Sequence, residues 1–438
     1  MKSIGRILTV SICILTGIFL WGEIPSSYGQ EIVKVGAIFP LTGALEATGR
    51  ELKNAVEMAT DICNNKYPEL SPLLMAETEG VKIKRGGKVV NAKVVIEWGN
   101  SEGKVETGAA EVSRLASDKG VVGILGCWQS AVTRAAATTA AKEGVPLLTQ
   151  SVALDLTKPE VMGESLKWFF RPNPAAIDLV EVMFKFMDAI QEKKKDKIKN
   201  VAIFYENTLY GKDNAKTAIS LIQEKYKHYN LVATVPYTAK TSDVVAEVLA
   251  LKKANPDVVY NVGPYISDAI LFTKTFKEQG FMVKGFLWDD AGVVTPDYLK
   301  SVGKEAEGFF TRMIYNVDLR TKKPLIGKID DMFKKRYGVN MDDNSARAML
   351  KALVLFEAIN RAQSDKPDDI RKALLETDIP EAKTNMIFGV KFDPVTHQNM
   401  RTVGLALVGQ ARGGQWRVAY PWDFASVDVV WPTPKWEK

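Results

Sequence analysis

Histidine is scarce: the 438 residues hold two, His228 and His397, far apart in sequence, and only three cysteines, Cys13, Cys63 and Cys127. No pair of them stands at zinc-ligand spacing, so a metal cofactor is not expected. A disulfide framework is excluded too, since one bridge at most can form. Charge of a single sign is also missing, with 58 Lys and Arg set among 52 Asp and Glu for a formal net charge of +6. The one dense basic run, residues 193–197, is interrupted by Asp196. A nucleic-acid partner calls for cations gathered on one stripe, and none is expected here. Neither a Gly-rich dinucleotide turn nor a phosphate loop occurs. Past residue 21 there is no apolar run of the roughly 20 residues that a spanning helix needs.

What is present begins with an address. Lys2 and Arg6 precede an apolar run over residues 7–21, and Ser27-Tyr28-Gly29 places small residues at the positions a signal peptidase reads. Residues 1–29 are therefore expected to be a cleaved secretory signal, with the mature chain outside the cytoplasmic membrane. Cys13 follows Ile12 rather than a small residue, which argues against a lipid anchor.

The remainder has the composition of a globular protein, 46% hydrophobic and 25% charged, and is too long for one core. Short runs rich in Val, Ile and Phe alternate with amphipathic helical patterns, which predicts an α/β class with mostly parallel sheets. Strands are expected over 33–39, 94–98, 121–126, 146–149, 201–205, 232–237, 258–262, 285–288 and 308–315. Helices are expected over 50–65, 105–119 and 131–142. The alternation runs twice, over 33–149 and 201–288, with Pro172 and Pro174 between, so two Rossmann-like lobes are expected. Residues 82–100, with Gly86-Gly87 as a turn, read as a peripheral hairpin.

In open sheets of this kind ligands sit beyond the carboxyl ends of the strands, where helix N-termini offer unpaired N–H groups that suit a carboxylate. Polar or aromatic residues stand at that level in Thr42 to Gly49, Gln129-Ser130, Gln150-Ser151 and Tyr205 to Tyr210. The turn Gly126-Cys127-Trp128-Gln129-Ser130 approaches a nucleophile elbow, but Val132 replaces the second glycine, so catalysis is not expected.

These residues also carry a resemblance. Val35 to Ala44, Gly49, Gly126 to Ser130, Tyr205 to Gly211, Asn255 to Val259 and Glu307-Gly308 are similar, in this order, to the extracellular solute-binding proteins of branched-chain amino acid transport. The resemblance spans nearly all of the chain after residue 29. It implies a type I periplasmic binding fold: two lobes joined by three crossover strands, closing on a ligand. Lobe 1 would hold 30–170 and 316–388, and lobe 2 would hold 171–315 and 389–438. It implies a monomer in the periplasm that is not an enzyme, needs no cofactor, and delivers a small carboxylate-bearing solute to an inner-membrane ABC permease. That solute would be a branched-chain or aromatic amino acid, with an organic acid lacking an ammonium group as the alternative.

Residue by residue, the resemblance places Thr48 in the first ligand loop. It places Ser130 and the backbone of Gln129 on the carboxylate, with Ser151 and the backbone of Ala153 beside them. Ala153 departs from the hydroxyl residue usual there. Tyr210 and Tyr265 would form an aromatic wall on lobe 2, and Asp290, or Asp289 next to it, would meet an ammonium group. Each has a plainer reading: Ser130 as the N-cap of its helix, Tyr210 and Tyr265 as packing, Asp290 as a cap for 291–299. Arg171 reads as an ion-pair residue or a carboxylate clamp.

Overall fold

The computed structural model describes residues 30–436, with the backbone alone at Asp290. The expected signal segment lies outside the described residues. Two sheets organise the rest. The first contains β1 (Ile32–Phe39), β2 (Val81–Arg85), β3 (Lys88–Asn100), β4 (Ile124–Gly126), β5 (Leu147–Leu148) and β6 (Phe169–Phe170), in the order β2-β3-β1-β4-β5-β6. All its pairings are parallel except β2 with β3. The 82–100 segment is not peripheral, as the sequence suggested. It does turn at Gly86-Gly87, but β3 then continues past the hairpin and pairs with β1 from Ile32↔Lys93 to Phe39↔Asn100. Its apolar alternation over Val94 to Trp98 serves the sheet rather than a flap.

The second sheet contains β7 (Asn200–Glu206), β8 (Asn230–Tyr237), β9 (Val258–Gly263), β10 (Gly285–Asp290) and β11 (Phe310–Met313). These five strands are parallel. After the small hairpin of β12 (Asp378–Ile379) and β13 (Val390–Lys391), strands β14 (Leu407–Arg412) and β15 (Gln415–Tyr420) extend the second sheet antiparallel on β11.

Helices cover the sheets. α1 (Glu46–Asn64), α2 (Val105–Ser113), α3 (Ser130–Glu143) and the short α4 (Pro159–Met162) come from the first run of alternation. α5 (Ala176–Lys194), α6 (Leu209–Glu224), α7 (Val245–Ala254), α8 (Ile266–Glu278) and α9 (Pro296–Val302) come from the second. The chain then supplies α10 (Pro324–Tyr337), α11 (Asp343–Ala362) and α12 (Pro367–Leu375). Helix α11 packs on α1 and on β2, so this late segment covers the first sheet. It is buried almost all round, as a helix between layers must be. The chain thus passes between the two sheets three times, and the result is the expected two-lobed α/β fold.

Glycine matters most where backbone approaches backbone. A Cβ on Gly49 would lie 2.0 Å from the Pro40 carbonyl oxygen, and one on Gly211 would lie 2.1 Å from that of Glu206. Both glycines let a helix start hard against the strand it follows, in the first loop and beside Tyr210 respectively. Among the described residues no helix is long and apolar enough to cross a membrane.

Candidate functional site

The carboxyl ends of the two sheets face one another across a cavity of about 170 Å³. Gln129 and Ser130 reach it from the end of β4, and Gln150 and Ser151 from the end of β5. From the second sheet come Thr208 and Tyr210 after β7, Tyr265 after β9, Ala291 after β10, and Arg312 on β11. Arg347 on α11 completes the wall. The body of the cavity is apolar and aromatic, with Trp128, Val132, Val152 and the two tyrosines.

Gln129, in extended backbone conformation, is the N-cap of α3, and Ser130 is its first helical residue. The first i to i−4 bond runs from Thr133 N to Gln129 O at 2.9 Å. The N–H groups of Ser130, Ala131 and Val132 therefore have no acceptor within the helix, and these three residues line the cavity. The Ser130 hydroxyl makes no capping bond and, though buried, has no partner among the described residues. Its reading as an N-cap is thus replaced: the cap falls one residue earlier and the hydroxyl stays unpartnered among the described residues.

Ser151 is in the wall but its hydroxyl is committed. It lies 2.5 Å from Thr133 Oγ1 and 2.8 Å from the Trp128 carbonyl, fixing the turn that presents α3. Gln129 Nε2 donates to the Tyr265 hydroxyl at 3.0 Å, joining the two lobes across the cleft. Leu154 N to Asp213 Oδ2 at 2.6 Å, and Asn344 Nδ2 to the Ala291 carbonyl at 2.8 Å, join them again.

Beneath the cavity lies a buried ion-pair layer. Arg312 donates from Nε to Asp289 Oδ1 at 2.7 Å and from Nη2 to the Tyr210 hydroxyl at 3.0 Å. Asp289 also accepts from Tyr260 at 2.8 Å. Arg347 Nη1 donates to Asp343 Oδ2 at 3.2 Å, its Nη2 donates to the Gln150 carbonyl, and its Nε has no partner. Asp343 Oδ2 is also 3.6 Å from Arg312 Nη1. Burial disfavours the charge on both arginines. At Arg312 the neighbouring Tyr210, Asp289 and Asp343 outweigh it, whereas Arg347 is held below the ordinary arginine range.

One turn along α11, Lys351 is fully buried, its Nζ making no hydrogen bond among the described residues and lying 4.5 Å from the Phe39 ring centre. Burial lowers its pKa to about 7, a small rise from Cys127 being offset by Arg347. The unfolded chain, with the ordinary value of 10.5, therefore binds more protons than the folded one between these two values. The penalty from this group is full below pH 7 and fades as pH rises toward 10. Lys351→Met is expected to raise stability at pH 7 and to flatten its rise between pH 7 and 9. Urea unfolding at the two pH values checks this; an unchanged slope would contradict it.

Of the residues picked from sequence, Gln129, Ser130, Ser151, Tyr210 and Tyr265 meet in one cavity wall. Thr48 does not reach that wall: it is buried in α1. Ala153 stands just behind it, its carbonyl accepting from Arg171 Nη1 at 2.8 Å. Arg171 itself is wholly buried, spending its donors on Ser151, Ala153, Thr157 and Gln398. It therefore acts as a structural brace and not as a clamp on ligand. Asp290 ends β10, and its side chain lies outside what is described. Asp289, its neighbour, is taken by Arg312 and two tyrosines.

Sequence reading missed Arg312 and Arg347, whereas Gln150 and Thr208 lie in strand-end segments it had marked. Arg347 shares α11 with Lys351 and Arg361 and carried no local signal, whereas Arg312 carried one, as the lone cation of the strand FTRM in β11. Such a residue needs a buried partner or a ligand. Neither histidine is near the cavity wall: His228 pairs with Asp188 on the surface, and His397 stacks on Phe170.

Residues 32–415 match the profile of a family described as periplasmic binding protein. The chain belongs to that family. Its members are solute-binding proteins, and the resemblance in the sequence motifs implied as much. The chain is 26% identical over 407 residues to Leu/Ile/Val-binding protein homolog 7 of Brucella suis, covering 91% of this chain and 93% of that one. Among solved structures it superposes on a branched-chain amino acid transporter substrate-binding protein of Streptococcus pneumoniae in complex with isoleucine. There the TM-score is 0.70 at 17% identity, covering 89% of this chain and all of that one. It also superposes on an ABC transporter solute-binding protein of Rhodopseudomonas palustris in complex with benzoate. There the TM-score is 0.68 at 13% identity, covering 88% of this chain and 95% of that one. At such identities these structures speak for the fold alone, the type I periplasmic binding fold.

Proposed function

We propose that this protein captures a small carboxylate-bearing solute between its lobes in the periplasm and delivers it to an ABC importer. The observation that carries the reading is the start of α3: three helix N–H groups and the unpartnered Ser130 hydroxyl meet at one end of a mostly apolar cavity, with Arg347 Nε unpartnered behind. A carboxylate entering there replaces lost hydration with donors already in place. Its apolar remainder lies against Trp128, Tyr210 and Tyr265. A cavity of about 170 Å³ suits a small metabolite and not a peptide. Because both lobes line the cavity, the ligand favours the closed arrangement, and closure is what an importer would recognise.

The ligand class is an amino acid, branched-chain or aromatic, with Asp290 receiving the ammonium group; the names of its relatives support this. A second reading, an aromatic or other organic acid, is favoured by one observation: Asp289 and Asp343, the buried carboxylates described at the cavity, are both committed to arginines. Calorimetry on Asp290→Asn separates the two. An amino acid receptor loses affinity for leucine or phenylalanine by about tenfold or more. Unchanged amino acid affinity in the variant, or binding of benzoate alone, would overturn the amino acid reading.

A further inference from the structure

Behind the ion-pair layer is a second cavity, of about 340 Å³, again walled by both lobes. Leu299 and Trp416 line it from the second lobe, Met341 and Asp342 from the segment before α11, and Tyr315 from the crossover that follows β11. Asp343 is common to both cavities' surroundings: it lines the second, and its carboxylate holds Arg347 of the first. Among the described residues, two buried polar atoms in this wall have no partner, the Tyr315 hydroxyl and Asp342 Oδ2. Asp342 is the N-cap of α11, and its Oδ1 accepts from Ser345 N and Oγ, both at 2.7 Å. Capping therefore uses one oxygen and leaves the other over. Burial, reinforced by the charge of Asp343, pushes this carboxyl up to about 6. The lysines in the same wall, Lys300 and Lys334, are exposed, and Lys300 is 3.8 Å from Asp297. Neither gives Asp342 a hydrogen bond or an ion pair.

Asp342 Oδ2, a buried carboxylate oxygen with no hydrogen bond among the described residues, is a place where a ligand's donor is missing, and the Tyr315 hydroxyl in the same wall is likewise unpartnered. We propose that the second cavity binds a small molecule made of a primary ammonium group on an apolar body. The ammonium donates to Asp342 Oδ2 and to the Tyr315 hydroxyl, and the body packs on Leu299, Met341 and Trp416. Since the walls belong to both lobes, its binding favours the lobe arrangement described here. By linkage it tightens binding in the first cavity, and the reverse holds equally.

The test is a calorimetric titration of the purified protein with benzylammonium chloride. Saturable binding at millimolar concentrations is expected, weakened about tenfold or more in Asp342→Asn and in Tyr315→Phe. Asparagine keeps the cap through its side-chain oxygen, and phenylalanine removes a hydroxyl that bonds to nothing, so both variants are expected to fold. Neutral benzyl alcohol is expected to bind more weakly than the cation, and Ser130→Ala is expected to leave the titration unchanged. The proposal is overturned by absence of saturation in the wild type, by full affinity in both cavity variants, by equal binding of the alcohol, or by loss of binding in Ser130→Ala. The first three of these results leave the carboxylate reading of the first cavity untouched, and only the last, which places the cation at Ser130, bears on it.

Discussion

Replacing Asp289 by alanine is expected to lower the free energy of unfolding by about 3–5 kcal/mol. The carboxylate is wholly buried and accepts from Arg312 Nε, from Tyr260 and from Tyr210. Without it, Arg312 keeps only the Tyr210 oxygen at hydrogen-bond distance and a more distant Asp343 at 3.6 Å. The cost is that of a buried cation stripped of its partner, which far exceeds the worth of the pair itself. The double variant Asp289→Ala with Arg312→Met should recover much of the loss, because it leaves no orphaned charge. Urea unfolding of the three proteins tests this, and a single-variant loss below about 1 kcal/mol, the size of an ordinary surface change, would show that the pair is not held as described.

The second large effect concerns binding. Arg347→Met is expected to weaken the carboxylate ligand by about tenfold to a hundredfold, since a hydrogen bond to a charged group contributes roughly 1.5–3 kcal/mol. The fold should survive the change better than in the Asp289 case. Asp343 keeps two backbone donors, Ile314 N at 2.6 Å and Tyr315 N at 3.2 Å, and Arg312 stays nearby. Calorimetry with the wild-type ligand reads the effect directly. An affinity within about twofold of wild type would place the guanidinium outside the ligand's reach and leave α3 and Ser130 to hold the carboxylate alone.

The fold was open to reading because the chain writes it in periodicity. Buried parallel strands are near-continuous runs of Val, Ile and Phe, and helices with one apolar face alternate with them. The segments after β1, β4 and β7 could therefore be placed at strand ends, where a ligand is expected. Gln129, Ser130, Ser151 and Tyr210 stand at such strand ends, Tyr265 was added only by the resemblance to branched-chain amino acid binding proteins, and all five share one cavity. What escaped was contributed from far along the chain. Arg312 and Arg347 reach the cavity from a strand interior and a helix between layers, and nothing local announces which partner a buried cation will find. Thr48 was drawn from a loop that the structure winds into α1, where helical geometry turns the residue toward the core. Likewise the peripheral reading of residues 82–100 failed because a turn signal at Gly86-Gly87 says where a hairpin bends, not how far its second strand continues.

The central claim is that a carboxylate is held at the start of α3. It is tested most directly by thermal unfolding of ligand-stripped protein against branched-chain amino acids, aromatic amino acids and aromatic carboxylates, in wild type and in the Ser130→Ala, Arg347→Met double variant. At a hundred times its dissociation constant a ligand adds about 2.7 kcal/mol to stability. A carboxylate held by Ser130, Arg347 and the start of α3 is expected to give a clear rise in melting temperature with at least one of these compounds, lost in the double variant at the same concentration. A rise that persists undiminished in that variant, or no rise with any carboxylate, would contradict it.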